Sequence, residues 1–399
     1  MRIQLWSYNY APEPTGIGPV SRTWAEALTA RGHQVSVVAA HPHYPEPQWG
    51  RKLRPTRSSE DGVDVIRLPL WIGRDSALAR MRQDASFSAA LAAAYPFLPR
   101  CDARVVVSPC FPALTCAIAA GRIERKPWLL WIQDILPDGA VGTGLVDEQS
   151  TVIKLSRRLE RAAYSRAGRV VVISDRFAEN LRGKGVPEEK LERIYNPATL
   201  PAATSARSEF ATAPRVLVMG NIGHSQGLTR VVREFEASDR LAALDAELII
   251  TGTGVAAEEV RAAITTDRVR MLGVVSDEQL RAELASASIG LVAQTPDLPE
   301  FNFPSKLMNY LASALPVIGF VTPGSEVGAV LEATGSGWTV DNSEDGALAA
   351  KIAEVCADPS SLITASRSAH AFAKSNLTAD ALAESFENSL KLIVQPHQN

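Results

Sequence analysis

One arrangement occurs twice in this chain and constrains its fold more than any other feature: a hydrophobic strand runs into a glycine-bearing loop that opens a helix. The first copy spans residues 2–28 and the second spans residues 214–235. The loop glycines are Gly16 and Gly18 in the first copy and Gly220, Gly223 and Gly227 in the second. Glycine lets a backbone approach an anionic group closely, and a helix N-terminus adds free N–H donors. The repeat predicts two facing Rossmann-like domains with a nucleotide between them.

Short β-branched segments alternate with amphipathic segments through both halves, which predicts an α/β fold with parallel, doubly wound sheets. Strands are expected near 2–8, 34–40, 63–69, 104–108, 128–133, 169–173 and 191–195, and again near 215–219, 246–251, 268–272, 288–292, 316–320 and 337–340. First-half helices are expected near 19–31, 76–95, 112–122, 150–166 and 175–184.

The chain of 399 residues is long enough for two domains of ordinary size. Residues 197–214 are rich in Ala, Ser, Thr and Pro and have no apolar period, which is typical of a linker. The sequence therefore predicts an N-terminal domain over 1–196, a C-terminal domain over 215–376 and a closing amphipathic helix within 377–399. Whether that helix packs back against the N-terminal domain stays open.

Charge is distributed unequally along the chain. The formal net charge is −3, but residues 1–196 carry 27 basic and 20 acidic side chains, whereas residues 197–399 carry 14 and 24. Residues 51–57 contain four cations and no acid, and residues 154–169 contain six cations and one acid. This pattern favours a local anionic partner such as a membrane surface, with an ordinary solvated face as the alternative. Nucleic acid is not expected, because no known binding motif accompanies the charge.

The expected location is the cytoplasm. No apolar run approaches the roughly 20 residues that a membrane-spanning helix needs, and the chain starts directly in a predicted strand. The four cysteines (Cys101, Cys110, Cys116 and Cys356) form no CxxC pair. The predicted helix 76–95 combines Arg80 and Arg82 with an apolar stretch, so it either packs as an ordinary helix or lies on a bilayer surface. Peripheral membrane association is therefore an open alternative.

A second candidate phosphate contact lies in the C-terminal half. Ser305 and Lys306 stand at a predicted helix start just before a buried strand, where the lysine can neutralise a phosphate. The alternative is a solvated surface lysine. The glycines of the segment 252–254 lack the spacing of a dinucleotide fingerprint, so we interpret them as a strand–helix turn.

The histidine pair His41 and His43 looks metal-like in isolation, but two histidines alone rarely make a metal site. We therefore expect no metal site there. No set of Ser, His and Asp or of Cys and His suggests hydrolysis either.

Several segments together resemble family 4 of the GT-B glycosyltransferases, and most closely a subgroup similar to colanic-acid and O-antigen fucosamine transferases. They are PEPTGIG, WIQDILPD, VVVISDRFAENL, IYNPA, GNIGHSQGL and FPSKLMNYLASALPVIG, in that order. The resemblance covers nearly the whole chain and rests on the ordered set rather than on one motif. It implies the GT-B fold, with two Rossmann-like domains, parallel sheets and an interdomain cleft. The N-terminal domain would bind the acceptor and the C-terminal domain the nucleotide sugar.

The resemblance also implies roles for particular residues. The loop at Gly16 and Gly18 would close over the donor phosphates, and the segment 220–227 with Ser305 and Lys306 would hold the diphosphate. Asn309 falls where many members have the second glutamate of a Glu-x7-Glu motif, which contacts the ribose.

The sequence departs from the family pattern in two places. Asn221 and Gln226 are neutral where typical members have Arg and Lys, so the diphosphate charge would fall to Lys306, to helix N–H groups and to His224. Glu300 precedes Asn309 by nine residues where eight is expected, so it is a candidate donor-sugar contact only.

Gln133 and Asp134 lie where many members have His-Asp, near the donor sugar. A carboxylate at a strand end can orient a sugar hydroxyl or accept the acceptor's proton, although Asp also caps turns and helices. Asp138 in the same loop is the second choice. Tyr44 and Trp49, after the histidine pair, are candidate sugar-stacking aromatics.

The sequence thus predicts a retaining glycosyltransferase that moves a sugar from a nucleotide-diphosphate donor, expected to be UDP-linked, to a lipid-linked or soluble saccharide acceptor in bacterial surface polysaccharide synthesis. No cofactor and no metal is expected, because helix N-termini and Lys306 would meet the charge. Two alternatives stay open: a UDP-sugar 2-epimerase of GT-B fold, and a non-catalytic GT-B subunit that supports a partner enzyme.

Overall fold

A computed structural model describes residues 1–14, 16–43, 49–50, 52–73, 77–108, 111–135, 149–296 and 304–394. The chain divides into two compact units. Unit 1 comprises residues 1–197 together with the final helix from Ala379 onward, and unit 2 comprises residues 198–378.

Within the described residues, unit 1 contains an eight-stranded sheet. Its strands are β1 (Arg2–Trp6), β2 (Gln34–Ala40), β3 (Thr56–Glu60), β4 (Val63–Leu68), β5 (Ala103–Ser108), β6 (Trp128–Ile132), β7 (Arg169–Val172) and β8 (Leu191–Arg193). Their order is β3-β4-β2-β1-β5-β6-β7-β8, and every ladder except that between β3 and β4 is parallel. The predicted parallel sheet is confirmed.

The antiparallel edge strand β3 was not among the predicted strands. Its sequence TRSSE is polar and four of its five residues are exposed, so it lacks the apolar alternation that identifies a strand. The turn that joins it to β4 is Asp61-Gly62, and both residues have positive φ, at 51° and 82°. An Asp-Gly pair is a hairpin signal, and it is the signal in the sequence that indicates this strand.

The helices between these strands are α1 (Ile17–Ala30), α2 (Ala77–Ala94), α3 (Phe111–Glu124), α4 (Thr151–Arg166) and α5 (Asp175–Gly183). The helix predicted over 76–95 is α2, which packs against α3 and buries Phe87 and Leu91 completely. Burial of these two side chains shows that this face of α2 is part of the unit 1 core. No helix in the described part of the chain is long and apolar enough to cross a membrane.

The final helix, α14 (Ala379–Val394), contributes to the core of unit 1. Phe386 is fully buried, and its ring centroid lies 5.7 Å from that of Trp24 and 4.7 Å from that of Trp131. At the surface, Arg31 at the end of α1 donates to both Asp380 and Glu387. Unit 1 is therefore assembled from both ends of the chain.

Within the described residues, unit 2 contains a six-stranded sheet of order β11-β10-β9-β12-β13-β14, in which every ladder is parallel. Its strands are β9 (Arg215–Met219), β10 (Glu247–Thr251), β11 (Val269–Gly273), β12 (Ile289–Ala293), β13 (Val317–Val321) and β14 (Gly337–Asp341). Its helices are α6 (Leu228–Glu236), α7 (Asp239–Ala243), α8 (Ala257–Ala263), α9 (Asp277–Ser286), α10 (Ser305–Ala312), α11 (Glu326–Thr334), α12 (Ala347–Cys356) and α13 (Pro359–Asn376).

The stretch 197–214 forms no helix or strand, and hydrogen bonds attach it to unit 2. The backbone N–H of Ala203 donates to Ala312 O at 2.7 Å. The guanidinium of Arg207 donates to several backbone carbonyl groups, including Leu284 O at 2.6 Å. The stretch therefore follows a defined path over the surface of this unit.

Each sheet has a topological switch point at its first strand. In unit 1, β1 lies between β2 and β5, and in unit 2, β9 lies between β10 and β12. In open α/β sheets, ligands bind outside the carboxyl ends of the strands at such points. Both glycine loops follow these two strands directly, so the topology places each at the expected ligand-binding edge of its own sheet.

Candidate functional site

The loop after β9 is shaped by glycines of two strands. Gly220 has φ 96°, and its N–H donates to Thr251 O at 3.0 Å. A Cβ on Gly252 would come within 1.9 Å of Gly220 O, and one on Gly254 within 2.3 Å of Ile222 O. Side chains at these two positions would therefore collide with the backbone of the glycine loop.

Through these close approaches the segment 252–254 packs against the glycine loop, a role that was not predicted from the sequence. The segment is the strand–helix turn that was predicted, and it also supports the candidate phosphate loop from the side. Two glycines separated by one residue after a buried strand were the available signal.

The same loop ends in a helix without a side-chain cap. Gly227 is left-handed (φ 59°, ψ 30°) and forms the N-cap of α6, and as a glycine it offers the first N–H groups of that helix no capping side chain. The backbone N–H of Thr295, after β12, donates to Ser225 O at 2.9 Å. The loops of the two strands at the switch point are thus joined, and α6 presents its N-terminus beside them.

The two neutral residues of the loop differ in their environment. Asn221 is exposed, whereas Gln226 is half-buried, and its Oε1 is a buried atom with no hydrogen-bond partner among the described residues. Gln226 therefore carries an unsatisfied buried acceptor within the loop. His224 is 70% exposed, and its Nδ1 lies 3.6 Å from Glu259 Oε2.

Lys306 stands in the first turn of α10, next to the exposed Ser305. Since α10 connects the parallel strands β12 and β13, its N-terminus lies at the carboxyl edge of the sheet. Tyr310, one turn later, is buried and anchors the helix at the end of β9: its hydroxyl donates to Leu217 O at 2.9 Å and accepts from the N–H of Met219 at 3.0 Å.

The anchor directs one face of α10 towards β9, and positions i and i+4 share a helix face. Lys306 therefore shares a face of α10 with Tyr310 and lies at the carboxyl edge of the sheet, the edge at which the loop 220–227 follows β9. Gly290 makes room for the anchor, because a Cβ there would come 2.6 Å from the Tyr310 ring.

The environment of Lys306 is unusual for a lysine. The residue is half-buried, and burial lowers the pKa of its ammonium from 10.5 to about 8. No acidic side chain in the described part of the chain pairs with it. A partly desolvated cation without a counter-charge is a candidate anion site.

Asn309 has structural partners in unit 2. Its Oδ1 accepts from the backbone N–H groups of Thr199 at 2.9 Å and Leu200 at 3.2 Å, and its Nδ2 donates to Thr199 Oγ1 at 3.0 Å. The side chain is 8% exposed. The ribose contact stays a prediction, while the structure gives this amide a role in attaching the 198–214 stretch.

In unit 1, Gly16 and Gly18 lie at the start of α1, as expected. Gly16 is the exposed N-cap at φ 65° and ψ −140°, a conformation that is essentially confined to glycine. Gly18 is buried, and a Cβ there would come 2.9 Å from Glu13 O. The start of α1 therefore needs glycine at both positions.

Gln133 follows β6 and is paired with an asparagine of the IYNPA segment. The two amides exchange hydrogen bonds: Gln133 Nε2 donates to Asn196 Oδ1 at 2.9 Å, and Asn196 Nδ2 donates to Gln133 Oε1 at 2.7 Å. This pairing joins the ends of two segments 63 residues apart. Asn196 was not among the residues predicted from the sequence.

Asp134 is the candidate acid or base of unit 1. It is half-buried after two fully packed residues, Trp131 and Ile132. Burial raises the pKa of its carboxyl above 3.8, although the backbone N–H of Ile135 donates to it and opposes the shift. A carboxylate that is partly desolvated at a strand end suits contact with a hydroxyl group or a proton.

Several predicted residues lie outside the described part of the chain: Glu300, Asp138 and Tyr44. Trp49 is half-buried. His43 does have a carboxylate beside it in space, since its Nδ1 lies 3.2 Å from Glu13 Oε1. No group of three or more potential metal ligands occurs among the residues that the structure describes.

The sequence matches two protein families. Residues 15–197 match the glycosyl transferase 4-like domain, and residues 213–358 match the glycosyl transferases group 1 domain. The chain is 28% identical over 338 residues to a colanic acid biosynthesis glycosyl transferase of Escherichia coli, WcaI, with coverage of 78% of this chain and 81% of that protein.

Two solved structures share the fold. Sucrose-phosphate synthase from Thermosynechococcus elongatus superposes with a TM-score of 0.70 at 17% identity, and 100% of each chain is covered. HepE of Anabaena in complex with UDP superposes with a TM-score of 0.65 at 16% identity, covering 98% of this chain and 100% of that one. The two parallel-sheet units of this chain are thus those of the GT-B fold.

Proposed function

The chain belongs to the glycosyltransferases that combine a glycosyl transferase 4-like domain with a glycosyl transferases group 1 domain, and we propose that it transfers a sugar from UDP to a saccharide acceptor during synthesis of a bacterial surface polysaccharide. The name of WcaI supports a role in polysaccharide synthesis. The UDP bound to HepE supports UDP as the nucleotide of the donor. Because the two matched families are glycosyltransferase families, the epimerase and the non-catalytic subunit are not favoured.

The observation that carries the proposal is the environment of Lys306. A half-buried ammonium without an acidic partner among the described residues stands at the carboxyl edge of the unit 2 sheet, the edge that also holds the glycine loop and the start of α6. Each of these features favours an anion with several oxygens. A nucleotide diphosphate fits this charge, and we propose that it binds without a divalent metal.

For unit 1 we propose that Asp134 contacts a sugar hydroxyl at the reacting centre, and that Gln133 positions the loop through Asn196. The resemblance to family 4 implies retention of the anomeric configuration. In front-face attack, the leaving diphosphate itself takes the acceptor proton, so the protein contributes orientation and charge stabilisation rather than a nucleophile.

We further propose a lipid-linked acceptor and peripheral association with the inner face of the cytoplasmic membrane. The exposed side of α4 supports this, because Lys154, Arg158 and Arg161 lie there with Leu155, which is 64% exposed. The acid of α4, Glu160, is buried and accepts from the Tyr164 hydroxyl. A cationic face with an apolar side chain suits an anionic bilayer surface.

Lys306→Ala tests the diphosphate site. We expect UDP to bind about 10- to 100-fold more weakly at pH 7, because a hydrogen bond to a charged group contributes roughly 1.5–3 kcal/mol. Uridine should bind the two proteins equally, since it carries no phosphate. Isothermal titration calorimetry in EDTA and in Mg²⁺ measures both ligands, and equal wild-type affinities in the two buffers would support binding without metal.

The matched control is Lys351→Ala, which removes a surface lysine of unit 2 that pairs with Glu354. It should leave both affinities unchanged. Equal losses for UDP and uridine in Lys306→Ala would remove Lys306 from the phosphate role.

A further inference from the structure

A buried carboxylate joins the two loops that leave the carboxyl ends of β1 and β2. Glu13 is 2% exposed, and its Oε2 accepts a hydrogen bond from Asn9 Nδ2 at 2.6 Å. Its Oε1 accepts from the backbone N–H of His43 at 2.7 Å. Since β1 and β2 are parallel neighbours, the loops after them meet at one edge of the sheet. Glu13 connects them there.

The ring of His43 makes a second contact with the same carboxylate. Its Nδ1 lies 3.2 Å from Glu13 Oε1 and 3.1 Å from His41 O. Two acceptors converge on one nitrogen, so the proton belongs on Nδ1. The ring is 1% exposed and packs edge-on against Tyr8 at 5.1 Å, which packs in the same way against Phe87 at 5.1 Å. The aromatic packing keeps the histidine in one orientation.

These contacts hold the backbone at Glu13, which precedes Gly16 and Gly18 in the chain. The carbonyl oxygen of Glu13 is the atom that a Cβ on Gly18 would meet at 2.9 Å. Two residues earlier, Arg67 Nη2 donates to Ala11 O at 2.6 Å. Arg67 therefore holds the loop two residues before Glu13, and Gly18 packs closely against the Glu13 carbonyl group.

We propose that Glu13 and His43 are positioning residues that hold residues 16–18, at the start of α1, in the conformation in which their backbone N–H groups reach the donor diphosphate. This inference rests on the proposed function. A carboxylate suits the role because its two oxygens accept from two separate donors, the Asn9 amide and the His43 backbone N–H, while the His43 ring lies 3.2 Å from Oε1. A glutamine of the same size would present a donor to Asn9 or to His43, where a donor already points.

The test is Glu13→Gln in the full chain, with UDP as the probe and hydrogen–deuterium exchange of peptides within 7–20 as the readout. In the wild type, saturating UDP should slow exchange in these peptides. In the variant we expect exchange without ligand to be about tenfold faster and the slowing by UDP to be lost. UDP affinity should fall about five- to twentyfold, because the loop no longer meets the diphosphate in one conformation.

Different effects on the affinities for UDP and for uridine distinguish positioning from a general loss of structure. Uridine affinity should stay at the wild-type value, and the melting temperature should fall by about 5 °C or less. His43→Gln keeps the backbone N–H contact, so it should shift exchange and UDP affinity in the same direction by less. It also keeps the inference testable if Glu13→Gln does not fold.

The matched control is Glu26→Gln, which removes a carboxylate of α1 that pairs with Arg22 at the surface. It should change neither exchange in 7–20 nor UDP affinity. Wild-type exchange and wild-type slowing by UDP in Glu13→Gln would overturn the inference. The inference would also be overturned if UDP bound to the wild type without slowing exchange in residues 7–20. The Lys306→Ala titration tests the proposed function in unit 2, so the two can fail separately.

Discussion

At the scale of single residues, Lys306 combines two properties that bear on each other. Burial lowers the pKa of its ammonium from 10.5 to about 8, and ligand binding by the proposed site requires the ammonium to be charged. The same burial that strengthens an interaction with phosphate therefore brings the loss of the charge close to physiological pH.

The affinity for UDP should consequently fall as pH rises through about 8. Above that pH the free protein has a neutral Lys306, and binding must first take up a proton, so the affinity should fall by up to about tenfold per pH unit. The diphosphate stays ionised throughout this range. Calorimetric titrations with UDP from pH 7 to pH 9.5 measure the slope.

Lys306→Arg is the matched control, because a guanidinium stays charged over the whole range. Its UDP affinity should be nearly independent of pH, and a wild-type slope in this variant would assign the titration to another group.

The free energy of unfolding should depend on pH in the direction opposite to that of the UDP affinity. The unfolded chain, with an ordinary lysine pKa of 10.5, holds more protons between pH 8 and 10.5, so the Lys306 contribution to stability rises with pH there.

Residue types were predictable from the sequence at the candidate site, but their contacts were not. A glycine after a hydrophobic strand indicates a turn wherever it occurs, and the positive φ of Gly220 and Gly227 agrees with that. The pairing of Gln133 with Asn196 spans 63 residues, and that of Asn309 with Thr199 spans 110. Contacts at such separations follow from strand order, which no local pattern encodes.

At the scale of elements, one arginine joins the ends of two helices in unit 2. Arg207 donates to Leu284 O, Ala285 O and Ala287 O at the end of α9, and to Ser313 O just after α10. These carbonyl groups are the unsatisfied acceptors of helix C-termini, where a cation is also favoured by the helix dipole. Burial lowers the pKa of Arg207 to about 10, so it remains charged at neutral pH.

Arg207→Lys should therefore destabilise unit 2 by about 2–4 kcal/mol, although the charge is kept. A single ammonium cannot reach four carbonyl groups in two directions, and buried carbonyl groups would lose their donors. Urea denaturation monitored by tryptophan fluorescence and circular dichroism measures the loss.

The control for Arg207→Lys is Arg281→Lys, on the exposed face of α9. It should change the free energy of unfolding by less than about 0.5 kcal/mol. Equal stability of the two variants would mean that the carbonyl groups find other donors when Arg207 is shortened.

Buried strands were the elements best predicted, because runs such as RVLVM in β9 are apolar and β-branched and end at glycine. Each predicted strand is present with ends that shift by at most two residues. The edge strand β3 was missed because its sequence is polar and its residues are mostly exposed. The closing helix α14 was predicted as amphipathic, but an apolar face does not say which core it joins, and only its contacts with Trp24 and Trp131 assign it to unit 1.

At the scale of the whole molecule, the asymmetry of charge follows the two units. The α14 helix brings three acids and one base into unit 1, which keeps a net charge of +5, whereas unit 2 has −8. Within unit 1, part of the basic cluster 51–57 is neutralised, since Arg57 pairs with Asp64. The exposed face of α4 is therefore the stronger candidate for contact with an anionic surface.

Replacing Lys154, Arg158 and Arg161 together by Gln should weaken binding to vesicles that contain phosphatidylglycerol by about 100-fold, at roughly 1 kcal/mol for each cation near the surface. The loss should shrink as salt is added, because the attraction is screened within about 10 Å at 0.1 M. Sedimentation with vesicles measures this loss of binding, and neutral phosphatidylcholine vesicles should bind neither protein.

The control triple variant, Arg233, Arg240 and Arg270 to Gln, removes three exposed cations of unit 2 and should bind as the wild type does. Equal losses in the two variants would make the attraction a property of net charge, and α4 would then be an ordinary solvated helix.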